Sequence, residues 1–531
     1  MIDSSLHERI RHRLRITWNV FFRKWGTLTD IQVYSIPTVI RKKNAIILSS
    51  TASGKTEAVV APLCELLREE NWNPLSILYI TPTRALVNDI FERIHELLLS
   101  ISIETEKKTG DSPYLNWKKP PDILITTPES LDSMICRHPQ ELISVKTVIL
   151  DELHILDGNY RGDQIRVLLK RLNKIAPDFR IYALSATIAD PPAVAARYMP
   201  TYEVVQVGGS RQIVASFTGS LTDIYSMIRE EKLKKILIFC NSRRNTEQVA
   251  LEAKQLWGAQ EVVVHHGSLH KHEREETEMV MKTQSHAVCV ATMTLEIGID
   301  IGSIDAVILA DIPYTVSSFI QRIGRAGRRS GVIRVFGICS PDQRELFNVM
   351  VAAARENLLD HKEYIPDASV AIQQIFSTLF AHPTGIVRNE MKVLLQDLCP
   401  PSDIEEHILP HLQTLEWIEL FDDKIFATEK LMNLGQRGKI HSNIPDSQAF
   451  SVKNSLTNKV VGEIELPETV KSHIVFVLAG KVWEIVKVEK KTIYVKPSPG
   501  KGVPASFKRI HEYGAFYYLL PEILQDNNRN N

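Results

Sequence analysis

The residues best suited to chemistry begin with Ser49-Ser50-Thr51-Ala52-Ser53-Gly54-Lys55-Thr56, which follows the apolar run 45–48 and precedes helix-forming residues from Glu57. Small residues between a strand and a helix let backbone N–H groups close on phosphate oxygens, with a lysine charge and a threonine hydroxyl at the end of the loop. The strict pattern has glycine where this chain has Ser49, so the loop alone permits a nucleotide site or an ordinary polar turn. A second group, Asp151-Glu152-Leu153-His154, directly follows the apolar 148–150. An aspartate there can hold magnesium while the next carboxylate orients or deprotonates water; an acidic helix N-terminus is the plainer reading. The third group, Gln321-Arg322-Ile323-Gly324-Arg325-Ala326-Gly327-Arg328-Arg329, interleaves arginines with glycines. Guanidinium groups on one helix face suit fingers that cross a cleft to a γ-phosphate, whereas a charge run by itself is usually a solvated face. Taken together, the three groups favour a nucleotide site shared between two parts of the chain.

Other strand ends suit a different task. Thr81-Pro82-Thr83-Arg84 and Thr126-Thr127-Pro128-Glu129 each put hydroxyls, a proline and free N–H groups at a helix start, which fits a sugar-phosphate backbone and equally fits a helix cap. Ser185-Ala186-Thr187 ends a strand with small hydroxyl residues that could couple the acidic pair to a neighbouring domain. Gln32, upstream of the loop, carries an amide able to donate to and accept from an adenine edge.

The elements that must position these groups alternate. Strand-like runs at 75–80, 123–126, 145–150 and 180–184 are separated by helix-like stretches at 83–99 and 164–175, which predicts a parallel sheet with helices on both faces. Ligands then collect at the carboxyl ends of the strands. Residues 6–25 place Leu6, Ile10, Leu14, Trp18, Phe21 and Phe22 at helical spacing, predicting one amphipathic helix packed on this domain. The alternation restarts at Lys235, with strands at 236–239, 262–264 and 287–290 and a helix at 244–256, which predicts a second open α/β domain without a phosphate loop. Three helix-like stretches at 371–380, 387–397 and 404–415, then short strands at 417–420 and 424–427, read as a winged helix that could bind duplex or brace the rest of the chain. Strands at 460–465, 473–478, 481–489 and 491–496 read as a small β-barrel with Phe476, Trp483 and Tyr494 in its core.

The totals set bounds on the function. A chain of 531 residues allows three or four domains, and equal numbers of Lys+Arg and Asp+Glu, 63 each, leave any nucleic-acid partner to local basic surface and backbone dipoles. Six scattered cysteines, with no C-x-x-C pair, read as buried thiols in a reducing compartment. No apolar run approaches the roughly 20 residues of a membrane span, and the charged N-terminus does not read as a leader, so a cytoplasmic protein without membrane association is expected. No nuclease-like carboxylate cluster or metal-ligand Cys/His spacing stands out, and no second catalytic activity is expected.

Ser49 to Thr56, Asp151-Glu152-Leu153-His154, Ser185-Ala186-Thr187, the segment Ala291 to Gly302 and Gln321 to Arg328 together resemble the motif series of superfamily 2 helicases of the DExH type. The resemblance implies that Thr51, Ala52, Ser53, Gly54, Lys55 and Thr56 hold ATP phosphates, that Thr56 and Asp151 hold magnesium, and that Glu152 handles the water. It further implies that Gln32 reads the adenine, that Asp300, in the block with Gly298, meets the ribose, and that Gln321, Arg325 and Arg328 serve the γ-phosphate. The strand-binding surface would use Thr83, Arg84, Gly110, Thr127, Arg243, Gly267 and Thr292. The junction Gly438 to Asp446, the barrel segment Gly480 to Val486, and His266-Gly267-Ser268-Leu269 resemble the core of the large-helicase-related (Lhr) family, without its longest C-terminal extension. The implied architecture is α/β, with two tandem RecA-like domains at 1–207 and 208–365, a winged helix at 366–436 and a β-barrel at 437–531. The implied activity is ATP-driven three-prime to five-prime tracking along single-stranded DNA, with unwinding of tailed duplex or RNA–DNA hybrid in DNA repair or genome maintenance. The other functions consistent with the residues are a strand-stimulated ATPase that remodels nucleoprotein or serves a defence complex without unwinding, and an RNA helicase, because backbone contacts alone do not tell DNA from RNA.

Overall fold

The computed structural model describes residues 4–50, 53–208, 212–296, 301–327, 331–360, 363–445, 449–465, 475–499, 502–505 and 514–526. The first sheet contains β1 (Ala45–Leu48), β2 (Ile77–Ile80), β3 (Thr105–Lys108), β4 (Ile123–Thr126), β5 (Thr147–Leu150), β6 (Arg180–Ser185) and β7 (Glu203–Gln206). Their order is β3-β4-β2-β5-β6-β1-β7, and every pairing is parallel. Strands β1, β2, β4 and β5 are buried throughout, because helices cover both faces, which is why they read as unbroken apolar runs. The edge strand β3 is Thr-Glu-Lys-Lys, a composition that carries no strand signal and that discourages edge-to-edge pairing.

The N-terminal segment is two helices, Ser4–Arg13 and Trp18–Phe21, where the apolar spacing predicts one. The break has a cause. Glu65, buried on the helix after the phosphate loop, accepts from the Ile16 and Thr17 backbone N–H groups and from Thr17 Oγ1, and those donors cannot also continue a helix.

The second sheet repeats the plan with β8 (Gln212–Thr218), β9 (Lys235–Phe239), β10 (Val262–His265), β11 (Ala287–Ala291), β12 (Ala306–Leu309) and β13 (Val332–Ile338), all parallel, in the order β10-β11-β9-β12-β13-β8. Then come the helices Ser369–Ala381 and Arg388–Leu395, a helical stretch over 401–414, and a three-stranded sheet of β14 (Ile386–Val387), β15 (Ile418–Phe421) and β16 (Lys424–Ala427) in the order β14-β16-β15. The C-terminal strands are β17 (Phe450–Asn454), β18 (Val460–Ile464), β19 (Val475–Leu478), β20 (Lys481–Glu489), β21 (Thr492–Pro497) and β22 (Val503–Pro504).

Where the sequence predicts a small barrel, these strands form a curled, mixed half-barrel sheet in the order β18-β17-β21-β20-β19-β22. The outer edge of β18 is taken by the second α/β unit: Glu463 N–H donates to the Ser268 carbonyl at 2.7 Å, and His270 N–H donates to the Val461 carbonyl at 2.9 Å. An edge occupied in this way does not close on β22. Phe476 and Trp483 are buried as expected, while Tyr494 is half-buried under the Lys487 ammonium, 4.6 Å from its ring.

The cores cross the chain order. Leu269, Val264 and Ala253 of the second unit share a cluster with Val452, Phe476 and Trp483 of the C-terminal sheet. Val167, from the first unit, shares one with Ile375 and Leu412 of the three-helix unit and with Phe516 and Leu520 from the end of the chain. The seam between the first unit and the three-helix unit is polar and buried. Asp132 accepts from Arg171 Nη1 at 2.8 Å and Ser377 Oγ at 2.7 Å, and lies 3.0 Å from His441 Nδ1. Arg171 also donates to Cys136 Sγ at 3.2 Å, so a guanidinium already occupies the centre of the Asp132, Cys136 and His441 group. All six cysteines are free thiols, five of them buried, and among the described residues no helix is long and apolar enough to cross a membrane.

Candidate nucleotide site and the surface beside it

The loop after β1 ends at Gly54, whose left-handed backbone (φ 90°) opens the fifteen-residue helix Lys55–Glu69. A Cβ on Gly54 would lie 2.2 Å from Gln32 Nε2, so glycine is required by both space and conformation. Gln32 is buried against the loop, where its Oε1 accepts from Thr29 N–H at 3.0 Å and its Nε2 donates to the Gly54 carbonyl at 3.3 Å. The amide expected at an adenine edge thus spends a donor and an acceptor on shaping the loop. Ser49, the departure from the strict pattern, forms a short hydroxyl contact with Ser53 across the loop. Lys55 Nζ folds back to donate to the carbonyls of Ser49 at 2.6 Å and Ser50 at 3.1 Å. Burial lowers the Lys55 pKa, against the pull of the Glu152 and Asp151 carboxylates. Thr51 and Ala52 lie outside the described residues.

Asp151 stands at the carboxyl end of β5, one strand from β2, and this adjacency brings Tyr79 Oη to donate to its Oδ2 at 2.7 Å. Its other oxygen accepts from the Glu152 N–H at 2.9 Å. Burial and the adjacent Glu152 charge push the Asp151 carboxyl up from its ordinary range, as two carboxylates buried side by side must. Glu152 has a left-handed backbone (φ 46°), and its buried Oε2 accepts no hydrogen bond from the described residues. His154 Nδ1 is 3.4 Å from that oxygen and 3.0 Å from Ser185 Oγ. Burial, reinforced by the Lys55 and Arg325 charges, lowers the His154 pKa to about 3, so the ring is neutral at pH 7.

The second unit faces this group across a cleft of about 440 Å³ whose walls include Ser49, Ser50 and Thr187 on one side and Gln321 and Gly324 on the other. Thr187 Oγ1 and Ser317 Oγ lie 3.3 Å apart across the boundary. Arg325 is buried, its charge bears on Lys55 and His154, and one of its amino groups donates to the Glu296 carbonyl. Its neighbour Arg322 donates Nε to Glu296 Oε1 at 2.6 Å, a buried pair that holds the arginine helix from within. Gly298, Asp300 and Arg328 lie outside the described residues.

The residues expected at a strand fall into two groups at carboxyl ends. In the first unit Thr83 caps the helix Arg84–Leu99, its Oγ1 accepting from Leu86 N–H at 3.2 Å. Arg84 donates to Asp111 at 2.5 Å and covers Gly110, where a Cβ would come within 2.7 Å of its Nη2. Thr127 is buried at the start of the helix Pro128–Arg137. Arg161 ties the two helix starts together, donating to the Pro82 carbonyl and to Glu129 at 2.8 Å. In the second unit Arg243 Nη1 donates to Ser268 Oγ at 2.9 Å beside Gly267, and Thr292 N–H donates to the His265 carbonyl at 3.2 Å. Sequence reasoning did not single out Tyr79, Arg161 or Glu296. Tyr79 and Asp151 are 72 positions apart, and only the order of the sheet joins them.

The DEAD/DEAH box helicase family model matches residues 29–194, and the helicase conserved C-terminal domain model matches residues 219–330. The ATP-dependent helicase Lhr-Core of Methanocaldococcus jannaschii is 33% identical over 558 aligned residues, covering 93% of this chain and 64% of that protein. The ATP-dependent helicase Lhr-Core protein 2 of Thermococcus barophilus is 31% identical, covering 96% and 66%. The chain thus spans just under two thirds of the length of each. Among solved structures, Mycobacterium smegmatis helicase Lhr bound to ssDNA and AMP-PNP aligns with a TM-score of 0.69 at 23% identity, over 81% of this chain and 62% of that one. The DUF1998 helicase MrfA bound to DNA aligns with a TM-score of 0.75 at 20% identity, over 94% and 74%. These two likenesses bear on the fold, and it is the helicase models on both halves of the cleft, with the Lhr-Core alignments along nearly the whole chain, that make this protein a member of the DEAD/DEAH box helicases of superfamily 2, akin to the Lhr core.

Proposed function

We propose that the chain is an ATP-dependent helicase that tracks single-stranded DNA three-prime to five-prime and opens tailed duplex or RNA–DNA hybrid, in the cytoplasm and in the service of DNA repair. The observation that carries this reading is the cleft in which Ser49 and Ser50 of the phosphate loop face Gln321 and Gly324 of the second unit. ATP with magnesium would supply the cleavable anhydride and the positive charge that two adjacent buried carboxylates lack. The residues fit such a group. Gly54 opens a fifteen-residue helix at the loop, Thr56 and Asp151 would hold magnesium, and among the described residues Lys55 Nζ donates to its own loop carbonyls. Tyr79 orients Asp151, and Glu152 has a lone oxygen for a water proton beside a neutral His154. Gln321 and Arg325, with Arg328, complete the site from the other domain, while Asp300 and Gly298 serve the nucleoside.

On the same reading Thr83, Arg84, Gly110 and Thr127 grip the strand from the first RecA-like domain, and Arg243, Gly267 and Thr292 from the second. The unit 366–436 is a winged helix that braces the first motor domain through Asp132 and Arg171. The measurement is strand-stimulated ATP turnover, with release of a labelled strand from tailed duplexes of either polarity. Glu152→Gln and Arg328→Ala should each lower turnover by about a thousandfold. Undiminished turnover in both variants refutes the assignment, and turnover without strand release on any substrate refutes unwinding.

A further inference from the structure

Glu247, on the helix Arg243–Trp257, is a fully buried carboxylate that the nucleotide site does not use. Its Oε1 accepts from Ala479 N–H at 2.6 Å and stands 2.9 Å from His266 Nε2, and its Oε2 accepts from Gly480 N–H at 2.7 Å. Ala479 and Gly480 form the turn between β19 and β20, both left-handed (φ 57° and 65°), and successive N–H groups in a tight turn can converge on one anion. Lys254, about two turns further along the helix, donates Nζ to the Gly480 carbonyl. A buried charge is tolerated only when its lone pairs are matched, and two of the three donors here come from the C-terminal sheet.

The remaining partner, His266, begins the turn that carries Gly267 and Ser268. Ser268 Oγ receives Arg243, and the Ser268 carbonyl receives Glu463 of β18. Gly462 approaches so closely that a Cβ would lie 2.5 Å from that carbonyl. The C-terminal sheet therefore holds this turn twice, through the edge of β18 and through Glu247.

We propose that Glu247 is a positioning residue for strand binding: by locking the β19–β20 turn to His266 it sets the backbone at Gly267 and the reach of Arg243. The proposal rests on the reading above that Arg243 and Gly267 contact the strand. The test is the concentration of single-stranded oligonucleotide that half-saturates ATPase stimulation, measured with the strand-free ATPase rate in full-length Glu247→Gln, Glu247→Ala and Gly480→Ala, with Arg243→Ala as reference. Glutamine keeps the shape but cannot accept with both of its terminal atoms. A Cβ at Gly480 would meet Val264 Cγ2 at 2.9 Å and Lys254 Nζ at 2.8 Å, which disturbs the same contact from the hairpin side. The half-saturating concentration should rise about tenfold in the Glu247 and Gly480 variants, while their strand-free rate and KM for ATP stay within about twofold. Unchanged half-saturation in the Glu247 variants, with Arg243→Ala weakened, overturns the positioning role alone. If Arg243→Ala is unchanged as well, the strand-surface reading falls and the proposal with it. A strand-free rate that drops in step with strand affinity shows a general structural role and also overturns it.

Discussion

Replacing Asp132 with alanine should loosen the three-helix unit from the first motor domain. Asp132 is fully buried and accepts from Arg171 and Ser377, with His441 Nδ1 at 3.0 Å. Its removal leaves the buried Arg171 guanidinium without its carboxylate and the His441 imidazole without the partner that holds its charge, at a cost of about 3–5 kcal/mol. The imidazole offers a second route to the magnitude. Burial works against the charge on His441, yet Asp132, with Cys136 beside it, lifts its pKa from 6.5 to about 9, equivalent to about 3 kcal/mol shared between the two partners. The two figures describe one contact and are not summed. Because the folded pKa is raised, this contribution is complete below about pH 6.5 and declines to nothing as pH rises through about 9. The acid side belongs to Asp132, whose carboxyl His441 and Arg171 hold below its ordinary value despite burial, so its share is lost only as pH falls through that depressed value. The assay is amide hydrogen exchange in the helix Ser369–Ala381, corrected for intrinsic rates. Protection should fall by roughly two to four decades in Asp132→Ala, and in the wild-type chain it should decline between pH 6.5 and 9. Protection unchanged in the variant, or flat over that pH window, refutes the reasoning.

Gly54→Ala should lose at least about tenfold in affinity for a fluorescent ATP analogue, because the φ of 90° and the Gln32 amide both oppose a Cβ; Gln32→Ala in the same protein should restore part of the loss. Arg84→Ala should weaken strand binding evenly across sequences and reduce the slope of log affinity against log salt by about 0.7, as measured by fluorescence anisotropy. Glu296→Ala leaves buried Arg322 without its carboxylate and should destabilise the second motor domain by about 3–5 kcal/mol, read in thermal unfolding.

Much of the two motor sheets was legible because a parallel strand covered on both faces must be apolar throughout, as in Ile-Leu-Tyr-Ile of β2 and Thr-Val-Ile-Leu of β5. The edge strand β3 was not, since Thr-Glu-Lys-Lys is read as a strand only beside β4. The N-terminal break at Thr17 depends on a carboxylate 48 positions away, and helical spacing cannot register it. The phosphate loop and the acidic pair were legible as runs because each directly follows one strand, β1 or β5, while the arginine group runs out of the helix Val316–Ile323. Their contacts were not, because Tyr79 with Asp151, His154 with Ser185, and Arg322 with Glu296 are joined by sheet order or helix packing. Gln32 shows the limit of position alone: its amide is where a base reader belongs, and it is engaged with the loop. The barrel expectation found four of the six strands, missing β17 and β22, and could not foresee that β18 spends its edge on the turn after β10.

The polar seam has a consequence for biosynthesis. Arg171 is made 206 positions before Ser377, and Asp132 is made 309 positions before His441. At about 5–20 residues per second, a ribosome takes roughly 10–40 s to deliver Ser377 after Arg171. Throughout that interval the helix Tyr160–Ile175 presents Val167 uncovered, and the Arg171 guanidinium, though it can already meet Asp132 and Cys136, lacks its Gln374 and Ser377 partners. A nascent chain stalled in the second α/β unit therefore leaves Val167 without the later-made residues that cover it, however well its phosphate loop has already formed.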